Sequence, residues 1–229
     1  MLIKPILHRG LAILLALVLS VMVLAAALYL LGTSQPVMLQ LMRTYAPPEA
    51  TRLPAAEYPA MAEMIAAYLR GEREPFQLTY AVDGTEYLAF HDYEQQHMAD
   101  CLQLFRLCRT ILLGGLALSA ALLALVIIWG DACSLRWLRG GLLCVLALVT
   151  VVAVLAVVDF DSLFILFHKV AFTNDLWLLD PRTDLLIRLM PIGFFISYAA
   201  IIGGIWLLVM VGLLVISTIR IKKMQDKGE

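Results

Sequence analysis

Four stretches of this chain contain no charged residue and are long enough to cross a lipid bilayer: Leu11–Leu31, Leu112–Trp129, Gly140–Val158 and Phe194–Ile219. A helix needs roughly 20 apolar residues to pass through about 30 Å of hydrocarbon. Backbone polar groups find no partner in lipid, so a spanning segment must satisfy them internally, as a helix does. The chain therefore reads as an all-α integral membrane protein with four transmembrane helices. Composition agrees, since 62% of residues are hydrophobic and only 15% charged. The first run has a basic start (Lys4, Arg9), as a secretory signal does, but its apolar stretch is long for a signal core and Ala25-Ala26-Ala27 lies inside it. An uncleaved helix is the expectation.

Lysine and arginine in short flanks set orientation. Lys4 and Arg9 precede the first span, Arg136 and Arg139 lie between the second and third, and Arg220, Lys222, Lys223 and Lys227 follow the fourth. All of these are expected in the cytoplasm with both termini. The expected division is residues 1–31, cytoplasmic N-terminus and first span; 32–106, an extracytoplasmic subdomain; 107–158, the second and third spans; 159–193, an extracytoplasmic loop; and 194–229, the fourth span and a basic cytoplasmic tail. A net charge of −1 offers no basic face for nucleic acid. Cys101 and Cys108 are seven residues apart on one expected helix. That is about 10 Å along the axis, too far for a disulfide, and they read as small apolar side chains.

The first outer segment is expected to be a small α+β subdomain between helices 1 and 2, a helix plus a β-hairpin. Residues 55–69 place Met61, Met64, Ile65, Tyr68 and Leu69 on one helical face, with Gly71 suited to the helix end. Two β-prone runs, 76–82 and 85–90, flank Asp83-Gly84, the signature of a two-residue hairpin. From Asp92 the pattern turns helical and is expected to run unbroken into the second span. In the second outer loop, Asp180-Pro181 reads as an N-cap followed by proline at the first helical position. This predicts a short helix to about Met190, ended by Pro191.

Chemistry-bearing residues gather in these two outer segments. Glu94-x-x-His97-x-x-Asp100 keeps its side chains on neighbouring faces of one helix, and a carboxylate beside an imidazole fixes its tautomer. The competing reading of that spacing is a solvated helix end. Glu-x-x-His also recurs in di-iron bundles, but those need a second copy, and none is present. His168 stands in Phe167-His168-Lys169-Val170-Ala171-Phe172, in a segment that also holds Phe160, Phe164 and Trp177, and a lone histidine among aromatics is commonly structural. Its place in the only other outer loop makes a meeting with His97 feasible. Two such histidines can divide the roles of base and acid, or one can accept an acyl group. Lys169 and Asn174 are candidates for stabilising an oxyanion. Asp175, Trp177, Asp180, Asp184 and Arg188 add hydrogen-bonding capacity, and Trp177 with the phenylalanines also suits an interfacial belt. His91 reads as a bystander, and His8 is expected in the cytoplasm. There is no Gly-x-Ser-x-Gly elbow, phosphate loop or His-Glu-x-x-His motif.

The stretch from Glu94 to Asp100 resembles the first signature of the lipoprotein intramolecular transacylase family, Lit. The second signature is more specific: Asp159-Phe160, the run from Phe167 to Pro181, Thr183-Asp184, Leu186-Ile187, Pro191 and Phe194-Phe195. Helix count, loop sizes and order agree along nearly the whole chain. His91, Cys101 and Ile192 depart from the pattern. The resemblance implies a bacterial membrane enzyme acting at the outer leaflet on a diacylglyceryl-modified lipoprotein. It would move the sn-2 acyl chain to the α-amino group of the N-terminal cysteine, giving a lyso-form lipoprotein. It implies His97 and His168 as the catalytic pair, supported by Glu94, Asp100, Lys169, Asn174, Asp175, Trp177 and Asp180, with no metal or other cofactor. Glu94 and Asp100 would orient His97. Partners would be the lipoprotein and membrane lipids. Two readings of other classes compete: a non-catalytic membrane sensor or assembly protein, and a metal-dependent membrane hydrolase using Glu94, His97, Asp100 and His168.

Overall fold

The computed structural model describes residues 3–129 and 132–226. Lys227 of the expected basic tail lies outside the described residues. In chain order the elements are α1 (Ile3–Gly32), α2 (Gln35–Tyr45), α3 (Pro48–Thr51), a 3₁₀ turn (Ala55–Glu57), α4 (Tyr58–Arg70), β1 (Thr79–Val82), β2 (Thr85–Leu88), α5 (Asp92–Trp129), α6 (Ala132–Val158), α7 (Phe160–Ala171), α8 (Leu185–Leu189) and α9 (Ile192–Asp226). Helices α1, α5, α6 and α9 are long and apolar enough to cross a membrane. The chain is thus a multi-pass membrane protein, mostly helical, with one two-stranded sheet among the described residues. It divides into two compact units.

One unit is drawn from residues up to Ala27, Arg109–Val158 and residues from Ile202 onward. Its core is made by Ala16, Leu142, Val145, Trp206 and Met210, with a second cluster at Leu15, Leu122 and Val126. Small residues let the helices approach closely, as membrane helices do. A Cβ on Gly141 would stand 2.9 Å from Cβ of Ala16, and one on Gly115 would stand 2.8 Å from Cβ of Met22. The indole N–H of Trp206 is buried and donates to the carbonyl of Ser20 at 3.1 Å. Leu148, Val157 and Leu208 point outward and are exposed, as suits a surface covered by lipid.

The other unit combines Leu28–Cys108 with Asp159–Ile201. The hairpin and α4 therefore share one compact unit with residues 159–201. Along α4 the expected face is buried: Met61, Met64, Ile65, Tyr68 and Leu69 all lie inside. Gly71 ends the helix at φ 75°, in the left-handed region. The helix starts at Tyr58, after the 3₁₀ turn. The hairpin forms as expected, pairing Thr79 with Leu88 and Val82 with Thr85. Its turn takes positive φ at both Asp83 and Gly84, which matches the twist of the strands. Gln77 holds the base of the hairpin, its amide donating to the carbonyl of Phe90 at 2.7 Å and accepting from the N–H of Ala89 at 3.0 Å. Phe76 packs between Tyr68 and Phe90, at 4.9 and 4.6 Å between ring centres.

Two expectations for residues 159–193 are corrected. Most of the first third is helix, not loop: α7 spans Phe160–Ala171, and Asp159 caps it by accepting from the N–H of Ser162 at 3.0 Å. The helix expected to start after Asp180 does not. Residues 181–183 form a turn, and α8 runs only from Leu185 to Leu189. The carboxylate of Asp180 instead takes the guanidinium of Arg182 at 2.6 Å, and Pro181 occupies a turn that it suits equally well.

Candidate functional site

His97 lies in the second turn of α5 and His168 in the last turn of α7. The fold brings their rings to 6.2 Å between centres, and both are more than nine-tenths buried. Aromatic rings enclose them. Phe172 stands 5.1 Å from His97 and 5.6 Å from His168. Phe164 and Trp177 stand 4.2 and 5.0 Å from His168. The aromatics that suited an interfacial belt thus wall the histidine pair.

The ring nitrogens are placed unequally. Nδ1 of His168 lies 2.7 Å from the carbonyl of Phe164, one helical turn back. A carbonyl only accepts, so Nδ1 carries the hydrogen and Nε2 of the neutral ring keeps its lone pair. Nε2 of His97 lies 3.6 Å from Sγ of Cys101, whereas its Nδ1 is buried without a hydrogen-bond partner. His97 and Cys101 lie N-terminal to the charge-free run of α5, in the turns that belong to the second unit. Burial drives the pKa of His97 down to about 4, helped by the nearby charge of His168 and opposed by Asp100. Burial also lowers His168, against its bond to Phe164. Both rings are therefore neutral at pH 7.

The supporting carboxylates act differently from the expectation. Neither Glu94 nor Asp100 hydrogen-bonds the ring of His97. Glu94 is completely buried. One of its oxygens accepts from the N–H of His91 at 2.8 Å, closing the start of α5, and the other from the N–H of Leu186 at 2.9 Å. Side chains on a helix lean towards its N-terminus, so Glu94 turns away from His97. Burial raises its pKa, offset by those two bonds. Asp100 accepts from the amide of Asn174 at 2.9 Å. Asn174 in turn accepts from the N–H of Leu176 at 3.1 Å, shaping the bend after α7. Lys169, Asn174, Asp175, Phe172 and Trp177 line one recess of about 440 Å³. Asp180 does not reach the histidines with its carboxylate; its N–H donates to Asp184 at 2.8 Å.

Asp184 and Tyr93 carry more of the arrangement than the sequence suggested. Asp184 is buried and accepts from the hydroxyls of Tyr93 and Thr183. Burial raises the pKa of Asp184, but these bonds outweigh it and hold the carboxylate low; its acceptance of the Tyr93 hydroxyl pushes Tyr93 up to about 12. His91 stacks on Tyr93 at 5.4 Å. Among the described residues, the histidine–carboxylate group whose possible ligand atoms converge is His91, Glu94 and Asp184. The set expected for a metal-dependent hydrolase (Glu94, His97, Asp100 and His168) is not brought together. Both oxygens of Glu94 and both of Asp184 already accept hydrogen bonds, so the converging trio works as a hydrogen-bonded clasp between α5 and α8.

Fold and site together define a multi-pass helical membrane protein with a buried, neutral histidine pair walled by aromatics. The sequence model of the lipoprotein intramolecular transacylase Lit matches residues 11–195, and the chain belongs to that family. Its fold is similar to the solved structure of the lipoprotein intramolecular transacylase Lit from Bacillus cereus, with a TM-score of 0.72 at 16% identity over 97% of each chain. Two structures of that enzyme with one histidine substituted match at TM-scores of 0.69 and 0.68, also at 16% identity. They cover 97% of this chain and 93% and 95% of theirs. No curated protein sequence matches the chain.

Proposed function

We propose that this transacylase moves the sn-2 acyl chain of a diacylglyceryl-cysteine lipoprotein onto the α-amino group of the same cysteine. The observation that carries the proposal is the meeting of His97 and His168 in one buried pocket, with Nδ1 of His97 facing no partner. The reaction is an ester aminolysis. The amine attacks the ester carbonyl, a C–N bond forms, the C–O bond to glycerol breaks, and the amine proton ends on the glycerol oxygen. This requires a base for the amine, a proton for the alkoxide and donors for the tetrahedral oxyanion. Neutral imidazoles with free lone pairs meet the first need, and an imidazolium formed by that transfer meets the second. Lys169 and Asn174, both on the adjoining recess, supply donors. Donor and acceptor share one molecule, so the pocket chiefly has to fold the substrate correctly.

Glu94 and Asp100 support the pair by holding segments in place rather than by touching the ring of His97. Glu94 ties α5 to α8, and Asp100 ties it to the bend after α7. Trp177 packs on His168, and Asp175 and Asp180 shape the turns around it. In this reading the site lies at the outer leaflet of the bacterial cytoplasmic membrane, where such a substrate lies, and the lysines and arginines flanking the spans support termini on the inside. Exposed Leu166, Phe167 and Val170 on α7 suit contact with lipid there.

The test is mass spectrometry of the lipidated N-terminal peptide of an abundant lipoprotein from cells expressing the protein. An N-acyl cysteine with a mono-acyl glyceryl thioether, lost in His97→Ala and His168→Ala at normal expression, is the expected result. A diacylglyceryl cysteine with a free amine in cells holding folded protein would overturn it.

A further inference from the structure

A histidine can serve as a base only on the nitrogen that lacks a hydrogen, and the bond made by the other nitrogen decides which that is. For His97 the expected carboxylate partners are engaged elsewhere, and among the described residues Nε2 meets Sγ of Cys101, at 3.6 Å. The two residues are four apart on α5, so successive turns place sulfur over ring. Cys101 departs from the family pattern described above. Burial pushes its thiol up to about 12, so it is a neutral group able to accept a hydrogen through sulfur.

The opposite nitrogen supplies the second observation. Nδ1 of His97 is a buried polar atom with no partner, on a ring 7% exposed. A buried polar atom left unsatisfied is costly and rare in native folds, and it is a place where a ligand hydrogen bond belongs. Phe172 and His168 flank the ring on the side of the pair, and Asp100 is the acidic group whose charge it feels.

We propose that Cys101 is the positioning residue of His97: its sulfur accepts the Nε2 hydrogen and leaves Nδ1 as the bare nitrogen that receives the amine proton of the substrate. The role rests on the transacylase reading given above. Sulfur here takes the place a carboxylate commonly holds behind a basic imidazole. It is the weaker acceptor, and it keeps the resting ring neutral because it brings no charge. After proton transfer the ring carries hydrogens on both nitrogens, and the Nε2–H goes on donating to sulfur while Nδ1 passes the proton to the departing glycerol oxygen.

The test compares wild type with Cys101→Ala and Cys101→Ser. Nitrogen NMR of the histidine-labelled full-length protein in lipid nanodiscs reads the tautomer of His97 directly, and His97→Gln identifies the signal. The expected wild type holds hydrogen on Nε2 alone, Cys101→Ala mixes the two tautomers, and Cys101→Ser restores the single form. Transacylation, followed on a lipopeptide, should fall about tenfold in kcat for Cys101→Ala with KM unchanged, the worth of one neutral hydrogen bond, and recover in Cys101→Ser. An unaltered tautomer in Cys101→Ala would overturn the proposal, even with activity lost, because that pattern means packing alone. A wild type with hydrogen on Nδ1 would also overturn it. Absence of transacylation by the wild type would sink the functional reading and leave the tautomer result standing on its own.

Discussion

A neutral imidazole in a greasy pocket ties stability to acidity. His97 titrates near 4 in the fold against a usual value of 6.5. Between those values the unfolded chain binds a proton that the folded chain refuses. Stability is therefore full above about pH 6.5 and drains away as pH falls towards 4, where the ring must charge in place. His168 shifts in the same direction. Thermal unfolding in detergent should show a fall in midpoint from pH 6.5 to 4 that is smaller in His97→Gln; equal falls would place the acid sensitivity elsewhere. Glu94 poses the converse case, a buried carboxylate held by two backbone N–H groups. Truncating it strands both donors, at about 1–3 kcal/mol each. Glu94→Ala should cost about 2–6 kcal/mol by chemical unfolding, and Glu94→Gln less, because one acceptor oxygen survives. Equal stability of Glu94→Ala and wild type would show the clasp to be ornamental.

Among the elements, the long helices test how closely small residues are used. Gly114 and Gly115 are neighbours on α5, yet a Cβ on the first meets nothing within 4 Å and one on the second strikes the base of the Met22 side chain. Gly115→Ala should lower the unfolding midpoint by an amount equivalent to about 1–3 kcal/mol. Gly114→Ala should be neutral or slightly stabilising, since alanine is the better helix former. Similar behaviour of the two would mean that α1 and α5 do not approach as described. The same helices show what a sequence carries on its face. Charge-free runs, the Asp83-Gly84 turn, the buried stripe of α4 and the unbroken α5 were all legible, because hydropathy, turn chemistry and periodicity are local. Helix α7 was hidden by its mixture of aromatics and charges, although Asp159 with Ser162 three residues on was a readable cap. The histidine pair was legible from placement and resemblance, its tautomers were not. The acceptor for His168 is a backbone carbonyl, and the donor to Glu94 at Leu186 is a backbone N–H 92 residues away. Backbone groups are the same at every position, so no side chain marks them. Cys101 stands four residues from His97, one helical turn on, and that spacing alone does not distinguish a polar partner from a small apolar residue.

At the scale of the whole molecule, the proposal concerns orientation in the membrane. The arginines between α5 and α6 and the basic end of α9 motivate the proposal of cytoplasmic termini and an extracytoplasmic site, and a fusion experiment tests both. Alkaline phosphatase inserted at the hairpin turn between Asp83 and Gly84 should be active in intact cells. A fluorescent protein fused after residue 226 should fold and emit light. The reverse pattern would put the pocket at the inner leaflet and remove it from lipoproteins that have already been exported.

The ties that close the pocket also set a date on it. Asp100 meets Asn174 across 74 residues and Glu94 meets Leu186 across 92. A ribosome making this chain delivers α5 well before the segment that completes the site. Throughout that interval α5 presents an exposed carboxylate and an unfinished imidazole pocket to the membrane. A nascent copy is in that sense born incompetent, and it gains its chemistry only once nearly the entire chain has been threaded into the bilayer.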